Sequence, residues 1–337
     1  STEEQNEKQT ITAEAKTLKA LCYFQLLKVF APAYDLNPDA PGVILKTHLG
    51  IEDKQRSSIR DCVSTIRGLL SDAVQMDGTS RNNGWLSKTA VLYLQADVAL
   101  YSGDYETAIT SGNAVIAKAN DAYFTSEGIS NLWAKDSYAG RIFAFNTNST
   151  YYSNIQFSIQ EGDYFCVNPK LNVGTSDLRY TSFTYPFVMN GTVRTLLGKY
   201  NRCNKLNQTT AYINTMRYAG AYYIVAEAYC RKGETEAARV LINHYWHCIG
   251  VSEAPAGITN QALLELILTD KQREFVGEGV NFFDLKRTHL ASLPRYSQWG
   301  TGASSSISST DYRWNFPIPV SEYRFNSVEQ NAGWPSN

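Results

Sequence analysis

No two cysteines of this 337-residue chain stand close enough to form a CxxC pair; Cys22, Cys62, Cys166, Cys203, Cys230 and Cys248 are scattered along it. Such spacing argues against a zinc finger and against a small disulfide scaffold. Four of the six fall in helical patterns, where a free thiol packs as a small hydrophobe. Blocks of lysine and arginine are also missing, and the net charge is −1. Broad electrostatic attraction to nucleic acid or to an anionic membrane is therefore not expected. No run is long and apolar enough to span a bilayer, and the polar opening Ser1–Thr10 does not read as a signal peptide. Catalytic motifs are equally sparse. No serine sits in a GxSxG elbow. Gly300-Thr301-Gly302 lacks the lysine and the strand–turn–helix setting of a phosphate cradle. We expect no catalytic residues, no cofactor and no metal.

What the chain holds in quantity is aromatic rings: 22 Tyr, 14 Phe and 6 Trp, 12% of its residues. A buried phenol must find a hydrogen-bond partner. So large a tyrosine content implies that some rings are displayed as binding surface. Hydrophobic residues at 43% and charged residues at 19% leave ample material for a core.

Helical spacing is clear in several places. Leu18, Leu21, Cys22, Leu26 and Val29 predict a helix over 11–30, ending before Ala31-Pro32 because a residue preceding proline is pushed out of the helical region. A second helix over 57–76 shows Ile59, Cys62, Val63, Ile66, Leu69, Leu70 and Ala73 as one stripe, closed by Asp77-Gly78. The most informative feature is an internal repeat. Residues 93–108 lie over 223–238 at an offset of 130 without gaps: Tyr93 on Tyr223, Ala96 on Ala226, Gly103 on Gly233, Glu106 on Glu236 and Ala108 on Ala238. Each copy reads as helix, glycine turn and helix, the pattern of a tetratricopeptide unit. Alanine permits close approach of the paired helices. One hairpin cannot bury its apolar face alone, so neighbours must stack on it; the helices at 11–30 and 57–76 are the expected ones.

The fold class is therefore mainly α, built of tetratricopeptide-like hairpins with a loop-rich, partly β excursion. One domain over 1–337 is expected: scaffold over 11–120 and 216–290, excursion over 121–215, extended tail over 291–337. Within the excursion, Arg141–Phe145 and Tyr152–Ile159 alternate as short strands do, and Asn190-Gly191 reads as a turn. A further helix spans about 259–277, a serine- and glycine-rich loop occupies 297–310, and Phe316-Pro317-Ile318-Pro319 must be extended.

Three stretches resemble the SusD/RagB family. They are Glu14-Ala15-Lys16-Thr17-Leu18-Lys19-Ala20-Leu21-Cys22-Tyr23-Phe24; Lys271–Gly279 running into Phe283-Asp284-Leu285-Lys286-Arg287; and Pro317-Ile318-Pro319 with Glu322, Asn326 and Gln330-Asn331-Ala332-Gly333-Trp334. The resemblance implies a lipid-anchored outer-membrane protein of the cell surface. It would capture a nutrient, chiefly a glycan, for a SusC-like TonB-dependent transporter, without catalysis. It also implies an upstream region, with the lipid-bearing cysteine, that this chain does not carry, and a longer excursion than the one here. Rival readings are a peptide-binding member of the same family, a tetratricopeptide adaptor, and a helical glycoside hydrolase.

Candidate ligand contacts follow from sugar chemistry. A sugar ring has apolar C–H faces and a polar equator, so it is bound by flat rings and fixed polar groups. Trp133, Tyr151, Tyr152, Tyr164 and Tyr212 supply rings in or beside the excursion, and Asn154 and Arg202 supply polar partners. For any one of them the plainer reading is a ring packing its loop onto the helices. Glu274 and Glu278, one helical turn apart, could form an acid/base pair; the structural reading is an ion network with Arg273, Asp284 and Arg287 that ties the last helix to the tail. His244 and His247 beside Cys248 have a helical spacing that could bring two metal ligands together, but with no third nearby in sequence the favoured reading is packed or surface histidines. Asn148, Asn190 and Asn207 head glycosylation sequons, of little meaning in a bacterial protein.

Overall fold

A computed structural model describes residues 2–74, 84–146, 174–189, 191–197, 199, 212–289, 295–296, 303–305, 307–324 and 327–335. The first helix, α1 (Thr2–Phe30), ends at the Ala31-Pro32 boundary but begins nine residues before the expected start at 11. Its first two turns and more are exposed, so no apolar periodicity marks them. α2 (Ile59–Ala73) is capped by Ser58, whose side chain accepts from the Asp61 amide, and it buries the stripe from Ile59 to Ala73 apart from half-exposed Leu69.

The repeat folds as two like hairpins. α3 (Lys88–Tyr101) and α4 (Tyr105–Ile116) turn at Gly103, φ +77°; α7 (Tyr218–Lys232) and α8 (Thr235–Cys248) turn at Gly233, φ +82°. Both glycines sit in the left-handed region that side-chain-bearing residues rarely adopt. Ala96, Ala108, Ala226 and Ala238 are wholly buried. Helices stack in the order α1, α2, α3, α4, α7, and α7 then packs on α8 and on α9 (Asn260–Glu274). The two hairpins touch directly, because a Cβ built on Gly112 of α4 would overlap Val225 of α7. One continuous apolar core runs through the stack, from Leu21 and Phe24 to Leu263 and Phe275.

The excursion leaves this stack through a 3₁₀ turn (Asp121–Phe124) and α5 (Ser126–Ala134), then β1 (Arg141–Asn146), the strand expected there. It returns through β4 (Tyr212–Arg217), which pairs antiparallel with β1 and runs straight into α7. Between them lie α6 (Arg179–Phe183) and a hairpin of β2 (Thr184–Met189) and β3 (Thr192–Leu197) turning at Gly191, φ +75°. The expected strand at 152–159 lies outside the described residues. After α9 come α10 (Asn281–Thr288), a short antiparallel pair β5 (Arg295–Tyr296) and β6 (Ala303–Ser305), and the tail. Asn331 clamps that tail: its amide donates to Phe30 O (2.7 Å) and Phe316 O (2.6 Å), and its oxygen accepts from Arg56 (2.9 Å). Among the described residues no helix is long and apolar enough to cross a membrane.

Candidate ligand-binding site

Strands β1 and β4 hold the two ends of the segment that carries most of the expected ligand contacts. Asn146 and Tyr212 are register partners at one end of the ribbon, so the chain leaves the ribbon and returns to it at one place. Arg141 fixes this root. Its guanidinium donates to Asn214 Oδ1 (2.6 Å), Asp136 O (2.7 Å) and Leu132 O (3.0 Å), and the Asn214 amide also donates to Leu132 O (3.1 Å). Tyr212 is half-buried, with the Arg141 guanidinium 4.9 Å from its ring centre. Phe145, 43% exposed, stands edge-on to Phe143 (5.0 Å), which in turn meets Trp85 edge-on (5.9 Å). Phe145 was not among the expected contacts, although Phe143 and Phe145 two apart on a strand share a face.

Trp133 corrects the expectation. Its ring is 2% exposed, edge-on to Phe183 at 5.8 Å with Lys199 Nζ 5.3 Å away, so it packs α5 against α6 and offers no face to a ligand. Tyr151, Tyr152, Asn154, Tyr164 and Arg202 lie outside the described residues. Many tyrosines elsewhere are core: Tyr23, Tyr93, Tyr101, Tyr218, Tyr222, Tyr223 and Tyr245 are buried. Their hydroxyls find partners where needed, as Tyr23 does on Lys46 O (2.8 Å) and Tyr223 on Asp270 (2.5 Å).

Behind the root lies a buried ion network that sequence reasoning did not assemble. Arg179, wholly buried on α6, donates to Asp177 (2.7 Å), Asp270 (2.7 Å) and Glu274 (2.9 Å). Arg217, at the end of β4, donates to Glu274 and to Glu278 (2.9 Å), and Lys199 donates to Glu278 (2.6 Å) and Glu274 O (2.7 Å). Glu274 and Glu278 do serve structure, but their partners are Arg179, Arg217 and Lys199, supplied by the excursion. Asp284 and Arg287 belong to a second network with Lys271 (2.7 Å to Asp284) and Glu227 (2.8 Å to Arg287); Arg273 reaches Asp270 at 3.8 Å. Burial alone would raise the Glu274 pKa. The charges of Arg217, Arg179 and Lys199 outweigh it and hold the carboxyl down at about 2. An acid so held is ionised at neutral pH and has no proton to give, and its oxygens are occupied by guanidinium groups. Glu274 is thus unsuited to act as the acid of such a pair, and the Glu278 oxygens are likewise engaged by Lys199 and Arg217.

Several hollows lie elsewhere among the described residues, two of them large and beside α1. One, of about 600 Å³, is a mainly apolar groove between α1, residues 42–56 and the tail at Ile318 and Val328. The other, of about 360 Å³, lies between α1, α3, β4 and α9–α10 and is lined by charged groups including Lys28, Asp97 and Asp284. Neither is lined by a described residue expected to face ligand. His244 and His247 diverge: His244 meets Asp121 Oδ1 at 3.0 Å, and His247 meets Glu253 at 3.4 Å.

Comparison with known proteins places this architecture. The chain is similar to a SusD superfamily protein from Bacteroides thetaiotaomicron, with TM-score 0.82, 22% identity, and 97% of this chain and 79% of that one covered. It is similar to a SusD-like carbohydrate binding protein from Bacteroides vulgatus, with TM-score 0.78, 20% identity, and 96% and 77% covered. It is likewise similar to a SusD superfamily protein from Parabacteroides distasonis, with TM-score 0.74, 18% identity, and 96% and 78% covered. At those identities the likeness speaks for the fold. No curated protein matches the chain. The model of the SusD family matches residues 121–334, more than half of the sequence. The chain thus belongs to the SusD family, a family of non-catalytic binding proteins.

Proposed function

We propose that this protein is a cell-surface glycan-binding protein that captures an oligosaccharide or polysaccharide and passes it to a SusC-like TonB-dependent transporter of the outer membrane. The observation that carries the reading is membership of the SusD family, one of whose solved relatives is described as a carbohydrate binding protein. The chemistry of the excursion supports it. A helical stack and the buried ion network of Arg179, Lys199 and Arg217 support a ring-rich segment whose two ends are Asn146 and Tyr212. Loops on a rigid scaffold are where binding groups tend to reside. Tyr212 and Phe145 at the root, with Tyr151, Tyr152, Tyr164, Asn154 and Arg202 beyond it, are the proposed contacts. Trp133 is excluded by burial.

Isothermal titration against a panel of soluble polysaccharides and oligosaccharides tests this reading, with product analysis of the same mixtures. The expected result is saturable binding of at least one glycan with no release of product. Replacing Tyr151, Tyr152 or Tyr164 by alanine should weaken binding and leave the thermal midpoint unchanged. Binding of peptides with no glycan bound would reassign the protein to peptide capture, and steady bond cleavage would overturn the non-catalytic assignment. Co-purification with a SusC-like transporter from outer membranes tests the partner separately.

A further inference from the structure

We propose that Asp121, His244 and Cys248 form a binding site for a borderline-soft divalent cation, zinc in the first instance. The carboxylate oxygen, the imidazole nitrogen and the thiol sulfur all lie within 4.8 Å of one another. His244 and Cys248 are one helical turn apart on α8 and so share a face. The third donor was invisible in sequence, because Asp121 stands 123 positions before His244 and is brought there by the packing of the 3₁₀ turn on α8. A tetrahedral zinc with bonds of about 2.0–2.3 Å sets its ligand atoms about 3.3–3.8 Å apart. The three atoms therefore need shifts of about an ångström or less, within the reach of side-chain torsions.

An exposed His–Asp hydrogen bond would account for two of the three groups. It does not require a thiol at the same point, nor so firm a mounting. The Tyr222 ring lies parallel to the imidazole at 6.1 Å and 16°, and Tyr222 itself stacks on Tyr245 at 5.4 Å. Phe124 anchors the 3₁₀ turn edge-on to both tyrosines, at 5.6 and 5.0 Å. Asn120 caps that turn through the Ala122 amide (2.9 Å). Each donor is thus held by an element with its own buried footing. One sulfur, one nitrogen and one oxygen suit zinc; calcium and magnesium prefer oxygen alone. Asp121 and His244 are exposed, so a cation can enter and keep water in a fourth position. Bound there, it would clip the start of the excursion to the second hairpin.

The test uses tag-free protein and cobalt(II) as a spectroscopic stand-in for zinc. One equivalent should give a thiolate-to-cobalt charge-transfer band in the near ultraviolet, displaced by zinc and unaffected by calcium. Cys248→Ser should abolish the band; Asp121→Asn and His244→Ala should each weaken zinc binding by at least about tenfold, since even outer-sphere changes cost about 10–100-fold. Cys22→Ser, at the exposed thiol, and His247→Ala should leave both readouts unchanged. Zinc should raise the thermal midpoint of the unaltered chain and not of Cys248→Ser. A band that survives Cys248→Ser, or zinc affinity that falls with His247→Ala and not with His244→Ala, would overturn the site, as would the absence of any band.

Discussion

The two hairpins share a sequence pattern and a backbone, yet they are held by different forces. In the first, α3 and α4 meet their neighbours mainly through apolar side chains, and the charged groups stay at the surface: Arg67 pairs with Asp104, both partly exposed. In the second, the counterpart of half-exposed Asp97 is Glu227, which is wholly buried and gripped by Arg287 at 2.8 Å. The counterpart of Tyr93, whose ring packs on Gly220, is Tyr223, which donates to buried Asp270. The difference tracks what each hairpin must carry. Apart from its contact with α7, the first packs against α2, near it in the chain, whereas the second receives the excursion and the C-terminal region. Apolar contact is non-directional, whereas guanidinium–carboxylate pairs are directional and fix register as well as proximity. Ion pairing marks the hairpin that holds the proposed binding segment.

The sharpest way to break this contrast is to remove one cation from each side. Arg179→Met leaves Asp177, Asp270 and Glu274 buried without their shared partner and should cost about 3–5 kcal/mol. Arg67→Met on α2 removes the exposed partner of Asp104 in the first hairpin and should cost about 0–1 kcal/mol. Urea denaturation of both variants decides it; equal losses would mean that the buried network contributes no more than a surface pair.

Acid provides the second test. Glu274 and Asp284 are both held down to about 2, against burial that would raise them, by Arg217 and Arg179 for the first and by Lys271 and Arg287 for the second. A carboxyl whose folded pKa lies below its unfolded value adds stability above the unfolded pKa and loses it as the pH falls toward the folded one. Stability should therefore hold above about pH 4.5 and fall by a few kcal/mol between there and about pH 2. The urea midpoint measured across that range reads the loss. In Arg179→Met the slope should be shallower, since Glu274 is then less strongly depressed.

Smaller still is the effect expected where the hairpins touch. Gly112→Ala drives a methyl into Val225, and overpacking of this kind costs about 1–3 kcal/mol. Adding Val225→Ala should recover part of the loss if the contact itself is responsible. Gly68→Ala on α2, with open space around it, is the control and should be neutral or stabilising in the same melts.

These contrasts also explain which features were legible in the sequence. Both hairpins were, because a glycine turn and its flanking alanines are local signals that act within one helical pair. The ion networks were not. Arg179 meets Glu274 across 95 positions and Arg217 meets it across 57, so the sequence displays the charges without their pairing. β4 was missed for the same reason, its partner β1 being far away in the chain. Trp133 was misjudged because a tryptophan in a nine-residue helix carries no local sign of which side the frame will cover. Tyr212 stands at the root of the proposed binding segment because β4 pairs with β1, and that pairing too is tertiary.

The smallest difference between the hairpins is at the start of their second helices, and it can be erased by one carbon. Asp104 caps α4, its carboxylate accepting from the Thr107 amide at 3.1 Å. At the matching position of α8 stands Glu234, which makes no side-chain cap and instead reaches Lys232 at 2.6 Å. The longer side chain overshoots the amides that a cap must satisfy, and an acidic group there gains only from the helix dipole. Shortening it by Glu234→Asp should let the second hairpin adopt the cap of the first and gain about 0.5–1 kcal/mol, whereas Asp104→Glu should lose a similar amount. Reciprocal shifts in the urea midpoint would show that the hairpins are interchangeable at this position and that their divergence lies in the buried charges alone. A loss in both variants would mean that the Lys232 pair, exposed as it is, outweighs a backbone cap.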